Sequence, residues 1–234
     1  MKIVRSIEKL PYALTIGNFD GLHRGHQQLI SALKKTGLRT AVLTFSNHPS
    51  EVLKSANPAP LLSTPEHKLR LLDQSGVDLA IVLPFTKELA AETYDHFLKN
   101  LKEHLCFTHL ILGNGSALGN RQLGTQDKVE TLGKTLGFKA EYIDKFLEVS
   151  SGATRKALQQ GDLTAVHLLL GRPFSIYTQA AAEISLKGLC LPPDGTYAVQ
   201  VEGVAGTARI EGSTLYLQTS EALSHQPIEI IFKD

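Results

Sequence analysis

Tyr12-Ala13-Leu14-Thr15-Ile16-Gly17-Asn18-Phe19-Asp20-Gly21-Leu22-His23-Arg24-Gly25-His26 is the stretch that decides the fold. A short apolar strand ends at Ile16, a glycine-punctuated turn follows, and a helix carrying Leu29, Ile30 and Leu33 begins. The glycines permit a tight turn and let a ligand approach the backbone closely. A helix N-terminus adds unpaired N–H groups and the positive end of the dipole, so the turn suits phosphate. On a helix, positions 23, 26, 30 and 33 lie along one stripe. The spacing therefore predicts that His23 and His26 extend the apolar stripe toward the carboxyl edge of the strand, where open α/β sheets bind ligands. Either histidine alone reads more simply as a satisfied core residue. The pair, set in a Gly-Asn-Phe-Asp-Gly turn, favours phosphate handling.

Working outward, strands and helices alternate through the first two-thirds of the chain. Arg39–Phe45 is a continuous β-rich run suited to a strand covered on both faces. Thr64-Pro65-Glu66 is a helix start, with Thr64 as N-cap and Pro65 at the first helical position. Strands are expected over Asp78–Phe85, Thr108–Gly113 and Phe138–Ile143, and helices over Thr93–Leu105 and Asp127–Leu136. Such a series argues for a parallel sheet with helices on both faces. Ser150 and Ser151 cap a helix that contains Arg155 and ends at Gly161, and Asp162 caps Leu163–Leu170, closed by Gly171 and Pro173. The pattern then changes to short alternating strands separated by turn signals such as Glu202-Gly203 and Glu211-Gly212. The division expected is an α/β domain over 1–171 and a small antiparallel β module over 172–234.

Composition sets further bounds. The 234 residues suffice for one large domain, or a medium one plus a small one, and the net charge of +1 argues against a broad nucleic-acid or membrane-binding surface. There is no apolar run long enough for a bilayer, and residues 1–6 lack the apolar core of a signal peptide. Cys106 and Cys190 stand far apart without metal-ligand spacing, which reads as reduced cysteines in a cytoplasmic protein. His23 and His26 have no evident third ligand, so no resident metal is assigned to them.

A second motif, Ser150-Ser151-Gly152-Ala153-Thr154-Arg155, places hydroxyls, a helix N-terminus and a guanidinium within one turn. An arginine can bridge phosphate oxygens, so this set suits a polyphosphate. A serine-capped helix with an exposed arginine is the plainer reading of that motif alone. Together the two motifs resemble those of the prokaryotic FAD synthetases, the bifunctional riboflavin kinase/FMN adenylyltransferases. The first is similar to the family's Gly-Asn-Phe-Asp-Gly-x-His-x-Gly-His, the second to its Ser-Ser-Thr-x-Ile-Arg signature. Thr44-Phe45-Ser46-Asn47-His48-Pro49 resembles the Phe-x-Pro-His-Pro element between them. Lys68–Leu72, Gly76–Asp78, Leu83–Phe85 and Leu170–Ile176 extend the similarity, which covers roughly residues 10–177.

The resemblance implies a Rossmann-like nucleotidylyltransferase domain followed by a β module like a truncated riboflavin kinase barrel. It implies transfer of AMP from ATP to FMN, giving FAD and pyrophosphate, with magnesium accompanying ATP. By position, His23, His26 and Arg155 are the catalytic candidates. Gly17, Asn18, Phe19, Asp20, Gly21, Ser150 and Ser151 complete the ATP set, and Phe45, His48, Pro49, Gly113, Asn114 and Gly119 form the flavin set.

Three departures qualify this. Gly152-Ala153-Thr154 stands where the family has Thr-x-Ile or Thr-Arg-Ile before the last arginine, so one phosphate contact is missing while Arg155 itself remains. In Gly113-Asn114-Gly115-Ser116-Ala117-Leu118-Gly119 both aromatic positions of the family's flavin loop are lost, which leaves Phe19, Phe45 or Phe85 to stack on a flavin or simply to fill the core. The kinase's Gly-x-Pro-Thr-Ala-Asn segment is absent between Ile176 and Leu191, and the remaining chain is short for the complete kinase domain, so riboflavin phosphorylation is expected to be lost. Two other functions stay open: nucleotidylyl transfer to a different phosphorylated acceptor, and non-catalytic nucleotide or flavin binding.

Overall fold

Five short runs of aliphatic and branched residues build a parallel sheet: β1 (Tyr12–Ile16), β2 (Arg39–Phe45), β3 (Leu79–Leu83), β4 (Phe107–Gly113) and β5 (Lys139–Ile143). Their spatial order is β3-β2-β1-β4-β5, and every neighbouring pair is parallel. The computed structural model describes residues 10–54, 56–144, 149–220 and 227–233, so the expectation about residues 1–6 lies outside the described residues. Helices α1 (Arg24–Lys35), α2 (Pro49–Leu53), α3 (Pro65–Gln74), α4 (Lys87–Ala91), α5 (Tyr94–His104) and α6 (Gln126–Leu136) fill the crossovers. Strand order reverses at β1, so the turn leaving Ile16 starts at the switch point where doubly wound sheets bind ligands.

Helix α1 begins one residue later than the stripe of four required. Asp20–Leu22 forms a 3-10 turn, Leu22 has φ 42, and His23 precedes the helix. His26 therefore shares its stripe only with Ile30 and Leu33, both buried. The expected cap of α3 is present, since His67 N donates to Thr64 Oγ1 at 3.1 Å. Helices α2 and α4 have too few residues to show a period. Their starts are fixed by His48, whose Nδ1 accepts from Ser50 N, and by Thr86, whose hydroxyl accepts from Leu89 N.

After α7 (Ser151–Gln159) and α8 (Leu163–Leu170) come β6 (Ser175–Gln179), β7 (Glu183–Ser185), β8 (Gly195–Val201), β9 (Val204–Glu211), β10 (Thr214–Thr219) and β11 (Pro227–Phe232). They form one antiparallel sheet ordered β6-β11-β8-β9-β10-β7. Alternation explains its inner face: Val199, Val201, Ala208, Ile210, Leu215, Ile228, Ile230 and Phe232 are buried while their neighbours point outward. The β8–β9 hairpin closes through Glu202 and Gly203 at φ 50 and 89, the paired positive values that match strand twist.

The chain separates into two compact units. One holds the parallel sheet, with residues up to Phe19, Gly25–Ala59 and the described part of 71–147. The other holds Asp20–Arg24, Pro60–Arg70 and the described residues from 149 onward. Each has its own apolar cluster, one around Leu14, Leu43, Leu98 and Leu110, the other around Leu158, Val166, Phe174, Ile210 and Phe232, with Leu62 included.

Candidate active site

The glycine turn is strained. Phe19, Gly21 and Leu22 all take positive φ, at 54, 73 and 42. A non-glycine residue held there costs on the order of 1–3 kcal/mol and persists only where its surroundings over-determine it. Here Phe19 and Leu22 are anchored by burial. In the first unit, Gly17 N donates to Leu43 O, Thr44 Oγ1 donates to Asn18 O at 2.9 Å, and the Phe19 ring lies 4.9 Å from that of His26. Phe19 is fully buried and supports a histidine, which removes it from the candidates for flavin stacking. A side chain at Gly17 would crowd that ring, with a Cβ 3.1 Å from Phe19 Cε2.

Asp20 is the centre of the second unit's share of the motif. Its carboxylate accepts from the backbone of Leu62 and Ser63, from Ser63 Oγ, and from Arg155 Nη2 at 2.6 Å. Side-chain exposure is 3% for Asp20 and 13% for Arg155, so this is a buried ion pair. Arg155 Nε also donates to Pro60 O at 2.6 Å. The strap Pro60–Ser63 thus ties the turn to the second motif. Gly21 N donates to Ser63 Oγ, and Gly21 lies so close to the strap that a Cβ there would be 2.9 Å from Leu62.

His23 is 7% exposed, and burial lowers its pKa to about 4, against a smaller opposing effect of Asp20; the Arg155 charge lowers it further. It is therefore a neutral imidazole at pH 7. Lys68 on α3 is also buried, and its pKa is lowered by burial to about 8 with Asp20 working the other way.

The second motif is already engaged. Ser150 Oγ accepts from Ala153 N, which caps α7, and Ser151 Oγ donates to Asp20 O at 3.1 Å. The structure thus brings Asp20, Gly21, His23, Ser150, Ser151 and Arg155 together in one unit and holds Gly17, Asn18, Phe19 and His26 in the other.

The first unit contains a cavity of about 810 Å³ at the carboxyl edge of its sheet. Ile16, Gly17, Phe45, Pro49, Phe85 and Gly119 are among its lining residues. Phe45 and Phe85 pack edge to face at 5.1 Å, and Asn47 pins the latter by exchanging two hydrogen bonds with its backbone. Ser116 and Leu118, which stand at the lost aromatic positions, form part of the wall. Of the flavin set, Phe45, Pro49 and Gly119 line the cavity. His48, Gly113 and Asn114 are not in its lining: His48 caps α2, and Asn114 bonds to Ile143 O and Asp144.

Sequence reasoning missed the strap residue Ser63, the buried Lys68 and the half-buried Arg172. The signal lay in polar residues inside otherwise apolar segments, but only the fold shows that they surround Asp20 and Gly21. Among the described residues no group of three or more His, Cys, Asp or Glu side chains can hold a metal ion, and no helix is long and apolar enough to cross a membrane.

Comparison with known proteins agrees with this architecture. The bifunctional riboflavin kinase/FMN adenylyltransferase of Escherichia coli K12 is 32% identical over 232 residues, covering 87% of this chain and 74% of its own. The Bacillus subtilis 168 protein of that name is 30% identical, covering 83% and 69%. The crystal structure of a macrolide-efflux protein from Streptococcus pneumoniae shares the fold, with a TM-score of 0.78 over 99% of this chain and 90% of that one at 19% identity. The FAD synthetase family profile matches residues 6–155, and with these relatives it shows that the chain belongs to the FAD synthetase family.

Proposed function

We propose that this protein is an FMN adenylyltransferase that joins ATP and FMN to give FAD and pyrophosphate. The observation that carries this reading is the strained turn at Asp20–Leu22, with the Arg155 guanidinium fixed on Asp20 and a neutral His23 in the same unit. Family membership supports it.

The reaction is a displacement at the α-phosphorus of ATP. An FMN phosphate oxygen forms the new P–O bond, the bond to the bridging α–β oxygen breaks, and pyrophosphate leaves. The attacking phosphate is already anionic, so no protein nucleophile or general base is required. Catalysis rests on positioning and on donors aimed at the charge that develops. We assign His23, a neutral imidazole, and His26 as donors to the ATP phosphates and Arg155 as the cation that holds the distal phosphates. Asp20 accepts from Arg155 and thereby sets the guanidinium plane. Magnesium would enter with ATP and offset charge on its phosphates, with no cluster of protein carboxylates among the described residues needed to hold it. The cavity lined by Phe45, Phe85 and Gly119 receives the flavin.

Incubation with ATP, magnesium and FMN, followed by chromatography, is expected to yield FAD and pyrophosphate in equal amounts. Failure to form FAD would overturn the assignment. A second reading, transfer to another phosphorylated acceptor, is favoured by Ser116 and Leu118 in the cavity wall, where the family has aromatic residues. A panel of phosphorylated acceptors in the same assay separates the two.

We also propose that riboflavin kinase activity is lost and that the functional modules divide at 171/172, because residues 176–191 lack the kinase's Gly-x-Pro-Thr-Ala-Asn segment. FMN formation from riboflavin and ATP would refute the loss. A cytoplasmic setting, with Cys106 and Cys190 as free thiols and no nucleic-acid partner, belongs to the same reading.

A further inference from the structure

If the β module no longer phosphorylates riboflavin, its tie to the glycine turn needs another explanation. That tie is built twice. On one side the connector between β7 and β8 grips the strap: Leu61 N donates to Gly188 O at 2.8 Å and Cys190 N donates to Leu61 O at 2.7 Å. The strap in turn holds Asp20 through Leu62 N and Ser63 N, and Gly21 N through Ser63 Oγ. On the other side Arg172, between the cap of α8 and the start of β6, donates from Nη2 to Gly21 O at 3.1 Å. Gly21 is therefore clasped at its N–H and at its carbonyl, at the residue where φ is 73.

Arg172 is an expensive way to make one such bond. Its Nε and Nη1 are buried and make no hydrogen bond among the described residues. Burial pushes its pKa down to about 10, with Glu229 only partly opposing this. Buried donors left unsatisfied are destabilising, and apolar replacements of buried charged groups are often neutral or stabilising. A residue kept solely for stability would not be built in this way.

We propose that Arg172 is a positioning residue: from the base of the β module it fixes the Gly21 carbonyl and so holds the turn in its ATP-binding shape. This rests on the reading of the turn as the ATP phosphate site. It gives the β module a task in adenylylation, distinct from any kinase activity of its own.

The test measures ATP affinity by calorimetry with magnesium present, alongside thermal stability and the steady-state constants. Arg172→Met removes the donor and keeps the stem. It is expected to raise the ATP dissociation constant about tenfold or more, the scale of a misplaced binding group. The KM for FMN should stay within about twofold, and the melting temperature should not fall. Arg172→Lys should recover most of the affinity. Ile210→Ala, in the β-module core away from this network, should lower the melting temperature and leave ATP affinity unchanged. Should Arg172→Met prevent folding, Ser63→Ala tests the opposite side of the clasp, with weaker ATP binding expected.

ATP affinity unchanged in Arg172→Met, or in Ser63→Ala where it stands in, would overturn the proposal. So would a loss of ATP affinity that Ile210→Ala reproduces in step with its loss of stability. FAD formation by the wild-type protein is a separate readout. ATP binding without FAD formation refutes the acceptor while the Arg172 comparison still decides this proposal, and a wild-type protein that fails to bind ATP overturns both.

Discussion

Asp20 shows how one buried carboxylate can organise a whole turn. Buried at the turn, it collects two backbone N–H groups, a hydroxyl and the Arg155 guanidinium. Removing one partner of such a pair leaves the other charge buried and uncompensated, at a cost of about 3–5 kcal/mol. Asp20→Ala is therefore expected to lower unfolding free energy by that amount in denaturant titrations. Asp20→Asn, which keeps the acceptor oxygen, should lose less. A loss under about 1 kcal/mol, the scale of a surface pair, would show that Arg155 is not held as described. In the proposed reaction His26 is a donor to the ATP phosphates. His26→Ala should lower kcat by roughly 10²–10³, the usual effect of deleting one preorganised donor. Unchanged turnover in a folded variant would remove it from the catalytic set.

At the scale of elements, the β4–α6 loop forms part of the wall of the first unit's cavity, the proposed flavin site. Gly119 has φ 73 and ψ −177, a backbone region essentially limited to glycine, and a Cβ there would collide with the Tyr94 backbone. Gly119→Ala must push the loop off the start of α5. We expect at least ~1–3 kcal/mol of lost stability together with a raised KM for FMN, the KM for ATP changing less. Equal changes in both constants would argue against separate subsites. Much of this layout could be read from the sequence. Alternation of apolar runs located the five parallel strands, and Thr64, Ser150 and Asp162 marked helix starts that their side chains do cap. The start of α1 was misplaced because periodicity carries no sign of a left-handed Leu22. The strap 60–63 was invisible because its importance lies in backbone N–H groups pointing at Asp20, to which side-chain pattern is blind. Cavity residues were partly legible: Phe45 and Gly119 stood in a recognisable motif, whereas the edge-to-face contact with Phe85 depends on register between strands.

Titrating groups that act on stability across the whole molecule concentrate in the second unit. His23 has a folded pKa of about 4 against 6.5 when exposed, because burial disfavours its charged form. Burial also lowers the pKa of His67, even though Glu229 lies beside it. An unfolded chain takes up protons on both imidazoles as pH falls below about 6.5, while the folded chain resists, so protonation favours unfolding. The His23 contribution is thus fully present above pH 6.5 and lost progressively down to about 4, a change of about 3 kcal/mol. Glu229 extends the loss to lower pH. His67, 3.6 Å away, and then the Ser175 hydroxyl that donates to it hold it down at about 2, so its stabilisation is complete above 4.5 and disappears as pH drops through 2. Acid sensitivity should therefore begin above the carboxylate range. Denaturant midpoints measured from pH 7.5 to pH 4 are expected to decline from near pH 6.5, and His23→Asn should flatten the upper part of that decline. A wild-type profile that stays level until about pH 4.5, where carboxylates alone would begin to act, would mean that the His23 imidazole is not held neutral by burial, and the donor role assigned to it would have to be rebuilt on a charged ring.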